Sequence, residues 1–499
     1  MARKVDSSVL EVGRALGSWT VGDGPMYRKL ADAVRRAVEG GALAGGDRMP
    51  SERQLADLLA VSRTTVVAAY DDLRENGVVE SMRGSGTRIA RRSGSRGPSD
   101  GRVPGGRGAT IFQRLIDGPG ELISLACAAE PGDQDLLEVM REVAEHDMPA
   151  LLQSQGFFPT GLPICREAVA NYLTSGGFPT APDQVLMTTG AQQALALIAE
   201  LYLTRGDRVL VESPSWPGCF DVFQAAGAEL VTVPLDDEGA RADAFAAACI
   251  DYEPTLAYVM PTYHNPTGTL MSESRRRKLA EIATRTGVPI VEDNAYLGLR
   301  IAEPYDAPQP APLGSFAGPG GEVLSIGSLG KAVWGGLRIG WVRAPAEIIE
   351  RLARRKVLAD LSSPVFEQAV AARLLPRLNQ IQSERAAHLR PQLDTLERLL
   401  REQLPTWRWR RPDGGPAIWV ELPPGVDAEV YAQVALRHGV EVIPGSAMMF
   451  DSVRSNHIRM PYTFPEPVLV ELVDRLARAW MELNRHGPVE SRPVQRLVL

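Results

Sequence analysis

The stretch SIGSLGKAVWGGLRIGW, residues 325 to 341, predicts a buried strand, a Ser-Leu-Gly turn and a loop that carries one lysine and one arginine. An amine that attacks a carbonyl must be partly unprotonated, and the apolar neighbours of Lys331 favour that neutral form. The planar fork of Arg338 suits a phosphate dianion, and the Ser328 hydroxyl offers one more donor. An ordinary strand and loop with surface charges fits the same letters, so the rest of the chain decides.

The length of 499 residues allows two to four domains with a large buried core. No apolar run is long enough to span a bilayer, and no apolar export signal is visible at the N-terminus, so we expect no membrane partner. Four cysteines without C-x-x-C spacing disfavour a zinc site and a disulfide framework and favour a reducing cytoplasm. Residues 1–108 carry 18 Lys and Arg against 13 Asp and Glu, whereas the whole chain carries 54 against 61. The first 108 residues are therefore basic and the remainder is acidic, which indicates that only the N-terminal part binds a polyanion.

Residues 25–90 have the pattern of three helices followed by a hairpin. The first helix follows Pro25, and the second begins at Ser51, where Gln54 completes a capping box. Ser62 caps the third helix, whose first turn is predicted to be exposed. Two helices with this spacing place the start of the second one in a DNA major groove, and the hairpin tip can lie against the backbone as a wing. A three-helix protein-interaction module fits the helical pattern as well.

The segments PMYRKLADAVRRAVEGGAL and MPSERQLADLLAVSRTTVVAAYDDLRENGVVESMRGSGT resemble the winged helix-turn-helix of the GntR superfamily of bacterial regulators. The resemblance implies DNA contacts from the P-S-x-R motif, from the residues that open the recognition helix and from the wing. By their chemistry, Arg53 and Arg63 suit base edges, whereas hydroxyls and wing amides suit phosphates. The full set of predicted DNA-binding positions is Arg53, Ser62, Arg63, Thr64, Thr65, Arg83, Gly84, Ser85, Gly86 and Thr87.

Residues 91–110, RRSGSRGPSDGRVPGGRGAT, consist mainly of Gly, Ser, Pro and Arg. This composition predicts a flexible basic linker between a head at residues 20–90 and a body at residues 111–485. A second DNA contact through the arginines of the linker is the alternative, but a solvated tether is the preferred interpretation.

Beyond the linker, helices and strands alternate, which predicts an α/β body with a mostly parallel sheet. Ligands bind at the carboxyl ends of the strands in such sheets. After the first of these strands, Ala191 and Gln192 open a helix whose amides can hold a phosphate. The arginine run at residues 275–277 is interpreted as the solvated face of another helix.

Aromatic and acidic residues follow two other predicted strands. Trp216 comes after the strand at residues 207–212, where an indole either stacks on a flat ligand or packs into the core. Asp293 and Tyr296 come after the strand at residues 288–291. Each position alone also fits a plain turn between two elements, so their order along the chain carries the interpretation.

Residues 120–480 resemble, in order, the fold-type I aminotransferases, which use pyridoxal 5′-phosphate (PLP). The resemblance assigns the Schiff base to Lys331 and the anion opposite the pyridine nitrogen to Asp293. Asn265, in the motif NPTG, and Tyr296 correspond to the donors to O3′. Arg459, in NHIRMPYT, corresponds to the arginine that binds the α-carboxylate of a substrate. The remaining positions match residues that stack on the ring or hold the phosphate: Trp216, Ala191, Gln192, Ser328 and Arg338.

A GntR-type head joined to an aminotransferase-like body is the arrangement of the MocR subfamily of transcriptional regulators, and the resemblance covers nearly the whole chain. Two departures stand out. Where the subfamily usually carries a Tyr that reaches the phosphate, often from the partner subunit, this chain has Gly156, Phe157 and Phe158. The lysine motif is SLGK instead of the common Ser-Lys pair, which weakens the expectation of a hydroxyl contact there.

The predicted function is that of a cytoplasmic transcription factor whose body binds PLP on Lys331. Its effector is PLP itself or an amine or amino acid that reacts with it. The resemblance implies a homodimer, and two heads imply an operator with two half-sites. An aminotransferase acting on an amino acid is the alternative, because the residues for that chemistry are present, and residual transamination stays open. We expect a regulator because neither a metabolic transaminase nor a PLP reservoir has a use for a recognition helix and wing.

Overall fold

The computed structural model describes residues 7–17, 19–20, 24–39, 42–82, 86–90, 122–451 and 454–486. The N-terminal domain, or head, consists of α1 (Ser7–Ala15), α2 (Met26–Glu39), α3 (Glu52–Leu59), α4 (Arg63–Glu75), β1 (Val79–Met82) and β2 (Gly86–Ile89). The strands of the body are β3 (Ile123–Ser124), β4 (Val185–Thr188), β5 (Arg208–Ser213), β6 (Glu229–Asp236), β7 (Gly239–Ala240), β8 (Leu256–Val259), β9 (Ile290–Asp293), β10 (Val323–Ser328), β11 (Gly340–Arg343), β12 (Arg408–Trp409), β13 (Ala417–Glu421), β14 (Val440–Glu441), β15 (Ile443–Pro444) and β16 (His457–Pro461). Its helices are α5 (Gln134–Glu142), α6 (Met148–Leu151), α7 (Pro163–Ser175), α8 (Ala191–Tyr202), α9 (Pro217–Ala225), α10 (Ala242–Tyr252), α11 (Glu273–Thr286), α12 (Ala346–Asp360), α13 (Val365–Leu374), α14 (Leu378–Gln403), α15 (Ala428–Arg437) and α16 (Glu466–His486).

The helix starts of the head follow from their capping residues. Ser51 accepts a hydrogen bond from the Gln54 amide, and the Gln54 side chain accepts one from the Ser51 amide, so the predicted capping box is confirmed. Ser62 accepts from the Thr65 amide at 3.1 Å and starts α4. β1 and β2 form the antiparallel hairpin expected for a wing. Helix α1, which the sequence analysis did not single out, packs on α3 through the cluster of Val9, Leu10 and Leu58.

The body is organised around a sheet with the strand order β4-β11-β10-β9-β8-β5-β6-β7. Strands β10, β9, β8, β5 and β6 pair in parallel, and β11 runs antiparallel to both β10 and β4. The predicted mostly parallel sheet is therefore confirmed. Helices cover both faces, with α8, α9 and α12 in one apolar cluster and α10 with α11 in another.

A second layer completes the body beyond the large sheet. The antiparallel sheet β12-β13-β16-β15 shares a core with α14, α15 and α16. The short strand β3 pairs in parallel with β14, which ties the beginning of the described body to this layer. No helix within the described ranges is long and apolar enough to cross a membrane.

Candidate cofactor site and DNA-binding surface

Strands β4, β5, β8, β9 and β10 run in the same direction and end at one edge of the large sheet. Ligands bind at this edge in α/β folds. The loops at this edge carry all nine positions predicted for the cofactor: Ala191, Gln192, Trp216, Asn265, Asp293, Tyr296, Ser328, Lys331 and Arg338. Arg459 is supplied separately, by β16 of the second layer.

The start of α8 and Arg338 form one end of the site. Gly190 precedes α8 with φ 117° and no side-chain cap, so the first amides of the helix are available to an anion. A Cβ added to Gly190 would lie 3.0 Å from Nη2 of Arg338, so the guanidinium stands directly beside these amides. Gln192 Oε1 is buried without a partner among the described residues. The free amides of α8 and the Arg338 guanidinium therefore concentrate donors and positive charge at this end of the site, whereas Gln192 Oε1 is an acceptor.

Ser328 takes part in the turn that follows β10. Its hydroxyl donates to the Ile339 carbonyl at 3.3 Å and accepts from the Gly330 amide at 3.1 Å. Gly330 and Lys331 are thereby fixed relative to β11, which Ile339 precedes. The hydroxyl stabilises the lysine loop in this structure through these two backbone contacts.

Lys331 lies half-buried, and its Nζ donates to the carbonyl of Ala128 at 2.8 Å. Of the apolar walls expected around it, Val333, Leu337 and Ile339 are buried, whereas Trp334 is partly exposed. Ala128 belongs to the segment of residues 125–130, which we call the strap. Lys331 is thus held between its own loop and the strap.

Asp293 ends β9 and is almost completely buried. Its carboxylate accepts from the Tyr258 hydroxyl at 2.8 Å and from the Ala295 amide at 2.9 Å. Burial raises the pKa of Asp293, the two hydrogen bonds lower it in part, and the nearby Glu212 raises it further. Among the described residues no cation forms an ion pair with this carboxylate, so an ionised Asp293 calls for a cationic group from a ligand.

Asn265, Tyr296 and Trp216 occupy the loops that leave the same edge. Asn265 follows β8 and is buried. Tyr296 is buried in a small cluster with Tyr263 and Leu299. Trp216 precedes α9, and its indole is half-buried. Part of the indole packs against the apolar cluster of α8, α9 and α12.

Arg459 is a buried cation without a carboxylate partner among the described residues. It is 5% exposed, and its Nη1 donates to the Ala126 carbonyl at 3.4 Å. Its Nε has no partner in the same part of the chain. Ala126 and Ala128 belong to the strap, and two residues of extended chain span about 7 Å. Lys331 and Arg459 therefore bind carbonyls of the strap that lie two residues apart.

Three contributors to this site were missed in the sequence analysis. Tyr258 sits inside β8 next to β9, and the parallel pairing of these strands, once known, would have indicated its contact with Asp293. Arg385, on α14, donates to the carbonyls of Ala332 at 3.3 Å and Val333 at 2.8 Å and pairs with Glu130 of the strap. No local pattern marks Arg385, because a single arginine in a polar helix is ordinary. The strap has no sequence motif, because its carbonyl oxygens accept the hydrogen bonds of Lys331 and Arg459 and every residue has a carbonyl.

Most of the described positions that are predicted to bind DNA are exposed on the head. Arg53 and Thr64 are exposed, and the Arg63 side chain is 69% exposed, with only Glu52 at 3.4 Å as an ionic partner among the described residues. The Ser62 hydroxyl is engaged by Thr65, both at its amide and at its hydroxyl, which is 2.8 Å away. At the wing, Gly86 has φ 85° and is followed in β2 by Thr87. The three remaining positions, Arg83, Gly84 and Ser85, lie outside the described residues.

Comparison with known proteins matches both parts of the chain. The family of aminotransferases of class I and II matches residues 123–476, and the gntR family of bacterial regulatory proteins matches residues 26–89. An uncharacterized HTH-type transcriptional regulator of Bacillus subtilis (strain 168), YisV, is 32% identical over 459 residues, 89% of this chain and 93% of that protein. The probable rhizopine catabolism regulatory protein MocR of Rhizobium meliloti is 27% identical over 93% of this chain and 96% of its own. The crystal structure of the α-aminoadipate aminotransferase LysN from Thermus thermophilus, complexed with N-(5′-phosphopyridoxyl)-L-leucine, superposes with a TM-score of 0.67 at 28% identity, covering 76% of this chain and 96% of that one.

The cofactor of this body is PLP, and the charges at the sheet edge fit it. A carboxylate without an ionic partner among the described residues stands at Asp293, and the start of α8 beside Arg338 offers donors for a phosphate. The two full-length relatives are described as regulators, and each covers both the head and the body. The chain belongs to the aminotransferase class I and II family over its body and to the GntR family over its head, and is a transcriptional regulator of the MocR type.

Proposed function

We propose that the regulator responds to PLP itself or to an amine or amino acid that meets PLP in the body. The observation that carries this proposal is Arg459, a buried cation without a carboxylate partner among the described residues. A buried guanidinium left unpaired is costly, so its site is built for an anion that arrives with a ligand. Lys331 and Arg459 bind carbonyls of the strap that are two residues apart, so the two side chains lie near each other. The site therefore suits a molecule with an amine and a nearby carboxylate.

Each residue of the site has a proposed task toward the cofactor. PLP, when bound, supplies an aldehyde that an amine can attack and a ring that draws electrons from the attached carbon. Lys331 provides the resident amine, and Asp293 provides the negative charge opposite the pyridine nitrogen. Asn265 and Tyr296 are proposed as donors to the ring hydroxyl. Trp216 is proposed to cover one face of the ring.

The phosphate is proposed to bind at the start of α8. The amides of Ala191 and Gln192 and the guanidinium of Arg338 are the donors there, supported by the close approach of Arg338 to Gly190. Ser328 is proposed to act on the phosphate side as well, although its hydroxyl already holds the lysine loop.

We propose that the protein works as a cytoplasmic homodimer whose two heads bind an operator with two half-sites. Large apolar side chains are exposed around the start of α7 and the end of α12, namely Leu152, Phe157, Ile164, Leu358 and Leu361. The two segments are joined by Gln368, whose Oε1 accepts from the Leu162 amide at 2.7 Å. Exposed apolar surface of this kind marks an interface, and a second copy of the chain is the proposed occupant. Gly156, Phe157 and Phe158 stand in the segment where a partner-reaching Tyr is usual, so we propose no hydroxyl contact from this segment to the phosphate.

An aminotransferase that turns over an amino acid is the second candidate. It is favoured by one observation, the position of the predicted cofactor residues at one edge of the sheet, with Arg459 added from β16. The exposed recognition surface of the head favours the regulator, since a metabolic enzyme gains nothing from it. The two functions differ in their readout, because a regulator needs the ligand to change DNA binding whereas an enzyme needs product to accumulate.

The test combines both readouts on the same preparations. Wild type should show the visible absorption of lysine-bound PLP, and Lys331→Ala should lose it. After borohydride reduction and peptide mapping, the PLP label should lie on Lys331. The matched control is Lys278→Ala, an exposed lysine on α11, which should keep both signals.

Operator DNA should first be selected with the purified wild type, then titrated with and without PLP. A PLP-dependent change in affinity in wild type and in Lys278→Ala, but not in Lys331→Ala, supports the regulator. Steady product formation from an amino acid, together with DNA affinity that ignores PLP, would move the aminotransferase ahead. A label on another lysine would remove Lys331 from its proposed role.

A further inference from the structure

Among the described residues, the head touches the body where α3 packs against α15. Ala60 ends α3 in the left-handed conformation, with φ 50°, and packs against the apolar core of the second layer. The indole of Trp19, fully buried in the head, donates to Gln433 Oε1 at 3.2 Å. Apolar packing and a directed hydrogen bond thus hold the head in one orientation on the body.

Arg437, the last residue of α15, makes the ionic part of this contact. Its Nη1 donates to the carbonyl oxygens of Leu59 at 3.0 Å and Ala60 at 3.3 Å. Its Nη2 donates to Glu482 Oε1 at 2.7 Å, and the other carboxylate oxygen of Glu482 lies 2.7 Å from His438 Nε2. The last carbonyls of a helix are unpaired and carry partial negative charge. A guanidinium of the body therefore caps the helix that precedes the recognition helix.

The chain that leaves Arg437 leads directly to the cofactor site. After two residues it enters β14, which pairs in parallel with β3. The Leu125 amide continues this ladder by donating to the Glu441 carbonyl at 2.9 Å. Leu125 is the first residue of the strap, whose carbonyls are bound by Lys331 and Arg459. Lys331 and Arg459 are thus connected to Arg437, which caps α3, through the strap, its hydrogen bond to β14 and the backbone between β14 and Arg437.

The DNA side of the head stays free while it is docked in this way. Arg53, on α3, and Arg63, at the start of α4, are exposed. Ser62, which caps α4, comes only two residues after Ala60. Docking therefore does not cover the recognition surface, but it determines the direction in which that surface faces.

We propose that Arg437, held by Glu482, is the contact through which the cofactor site sets the orientation of the DNA-binding head. This proposal rests on the proposed function, since it names the path by which a bound effector acts. In a dimer, two oriented heads favour half-sites at one distance and helical phase, whereas heads released from Arg437 accept several spacings. Energetic coupling through such a packed and hydrogen-bonded element requires two arrangements that ligands favour differently.

The experiment uses full-length wild type, Arg437→Ala, Glu482→Gln and the conservative Arg437→Lys. Arg354→Ala is the control for the loss of an arginine from the body, because Arg354 is exposed and forms an ion pair with Glu350 at 3.5 Å within α12. Each protein is titrated with a single half-site and with paired half-sites whose spacing increases by one base pair at a time, with and without PLP. Absorption of bound PLP and thermal unfolding check that the body is intact.

We expect Arg437→Ala to bind a single half-site within about twofold of wild type and to keep the PLP absorption, because neither site contains Arg437. Its affinities for paired half-sites should depend less on spacing and should no longer respond to PLP, against a wild-type response of about 5- to 150-fold. Glu482→Gln should lose part of the response, and Arg437→Lys should retain part of it. Arg354→Ala should behave as wild type.

Two failures can be told apart. A wild-type protein whose spacing profile and affinity ignore PLP, both alone and with an amino acid added, overturns the proposed function together with this inference. A wild-type response that Arg437→Ala retains in full overturns only the inference, and leaves the regulatory function in place. If Arg437→Ala loses single half-site binding as well, Arg437 is needed for the fold of the head, and its role in orientation is rejected unless Glu482→Gln loses the PLP response alone.

Discussion

At the scale of single residues, three charges describe the ligand that the body accepts. Asp293 is buried, and its ionised carboxylate would be stabilised by a cation of the ligand. Arg459 is buried as well, and its guanidinium would be stabilised by an anion of the ligand. Arg338, beside the free amides of α8, calls for a second anion. Burying an unpaired charge costs several kcal/mol, so Asp293 and Arg459 are stabilised when a ligand supplies the opposite charges, whereas Arg338 is exposed and offers its donors without that cost. A pyridinium nitrogen, a phosphate and an effector carboxylate together do so.

Asp293→Asn should change how the stability of PLP-free protein depends on pH. Burial raises the pKa of Asp293 above its ordinary value, and its hydrogen bonds offset this only in part. The folded protein therefore keeps a proton that the unfolded chain has lost, in a pH window that starts near the ordinary aspartate pKa of about 3.9. The contribution of protonated Asp293 to the free energy of unfolding is present at a pH below this window and is lost as the pH rises through the window. Asparagine has no such proton, so the variant should lack this loss.

Thermal unfolding of both PLP-free proteins at about pH 4.5 and about pH 7.5 measures the difference. Wild type should lose more stability than Asp293→Asn between the two pH values. With PLP bound the gap should narrow, because the pyridinium favours the ionised carboxylate. Parallel pH profiles for the two PLP-free proteins would contradict a raised pKa at this carboxyl.

Arg63→Ala should weaken specific DNA binding by about 1–3 kcal/mol if the guanidinium reads a base pair with two hydrogen bonds. The side chain is 69% exposed at the first turn of the recognition helix, which leaves its donors available. Titration of operator and of random DNA at one salt concentration gives the specificity ratio. Arg36→Ala, an exposed arginine on α2, is the control for lost positive charge. Equal losses on both DNAs would place Arg63 on a phosphate instead of a base.

At the scale of elements, local chemistry could be predicted and distant contacts could not. Ser51 and Ser62 start helices because their hydroxyls cap free amides within three residues, and such a signal is complete in the sequence. Alternating strands and helices likewise predicted the parallel sheet and the edge that carries Asp293 and Lys331. By contrast, the pairing of β3 with β14 joins segments more than 300 residues apart, and nothing local in either short strand indicates the other.

The arginine run at residues 275–277 shows where the helical pattern misled the interpretation. Arg276 is 1% exposed and donates to the carbonyls of Met271 at 3.0 Å and Pro261 at 2.8 Å, so the prediction of a wholly solvated face is wrong. Burial lowers the pKa of Arg276 to about 10 despite the nearby Glu292. A buried arginine is stable here because one backbone carbonyl after β8 and one before α11 accept from its donors, and such a partner set is visible only in the folded chain.

Gly340→Ala should displace the junction that holds Arg338 beside α8. A Cβ on Gly340 would lie 2.7 Å from the Gly190 Cα and 2.9 Å from the Gly327 carbonyl, so backbone must move. Overpacking of this kind costs about 1–3 kcal/mol of stability. We expect a lower thermal midpoint and weaker PLP binding, measured by unfolding and by absorption titration. Gly335→Ala is the control in the same loop, since its Cβ would meet nothing closer than 3.8 Å, and a loss of PLP affinity equal to that of Gly340→Ala would contradict the argument.

At the scale of the whole molecule, the chain joins a DNA-binding surface to a body whose residues match a PLP enzyme. The head and the body are in contact through α3 and α15, yet the recognition surface and the cofactor site remain separate. Two ligands that bind separate sites on one molecule must influence each other equally at equilibrium. This requirement allows a test that does not depend on knowing the target genes.

Operator DNA should change the affinity for PLP by the same factor by which PLP changes the affinity for the operator. The expected factor is about 5 to 150, the usual range for coupled sites. Absorption titration of PLP with and without saturating operator gives one side of the cycle, and DNA titration with and without saturating PLP gives the other. Both sides should use the same temperature and salt, because phosphate contacts make DNA binding steeply dependent on salt.

Equality of the two factors would separate a bound effector from a chemical side reaction. Free PLP also reacts with lysines outside the site, and loss of the positive charge of Lys29, on α2 of the head, would weaken DNA binding without any linkage to the cofactor site. In that case PLP would alter DNA affinity in Lys331→Ala as much as in wild type, and operator DNA would leave the Lys331 absorption titration unchanged. If the site acts as the sensor, the two factors agree in wild type and both fall to one in Lys331→Ala. Disagreement between the factors in wild type would therefore reject Lys331 as the place where the regulator meets its effector, even if DNA affinity responds to PLP.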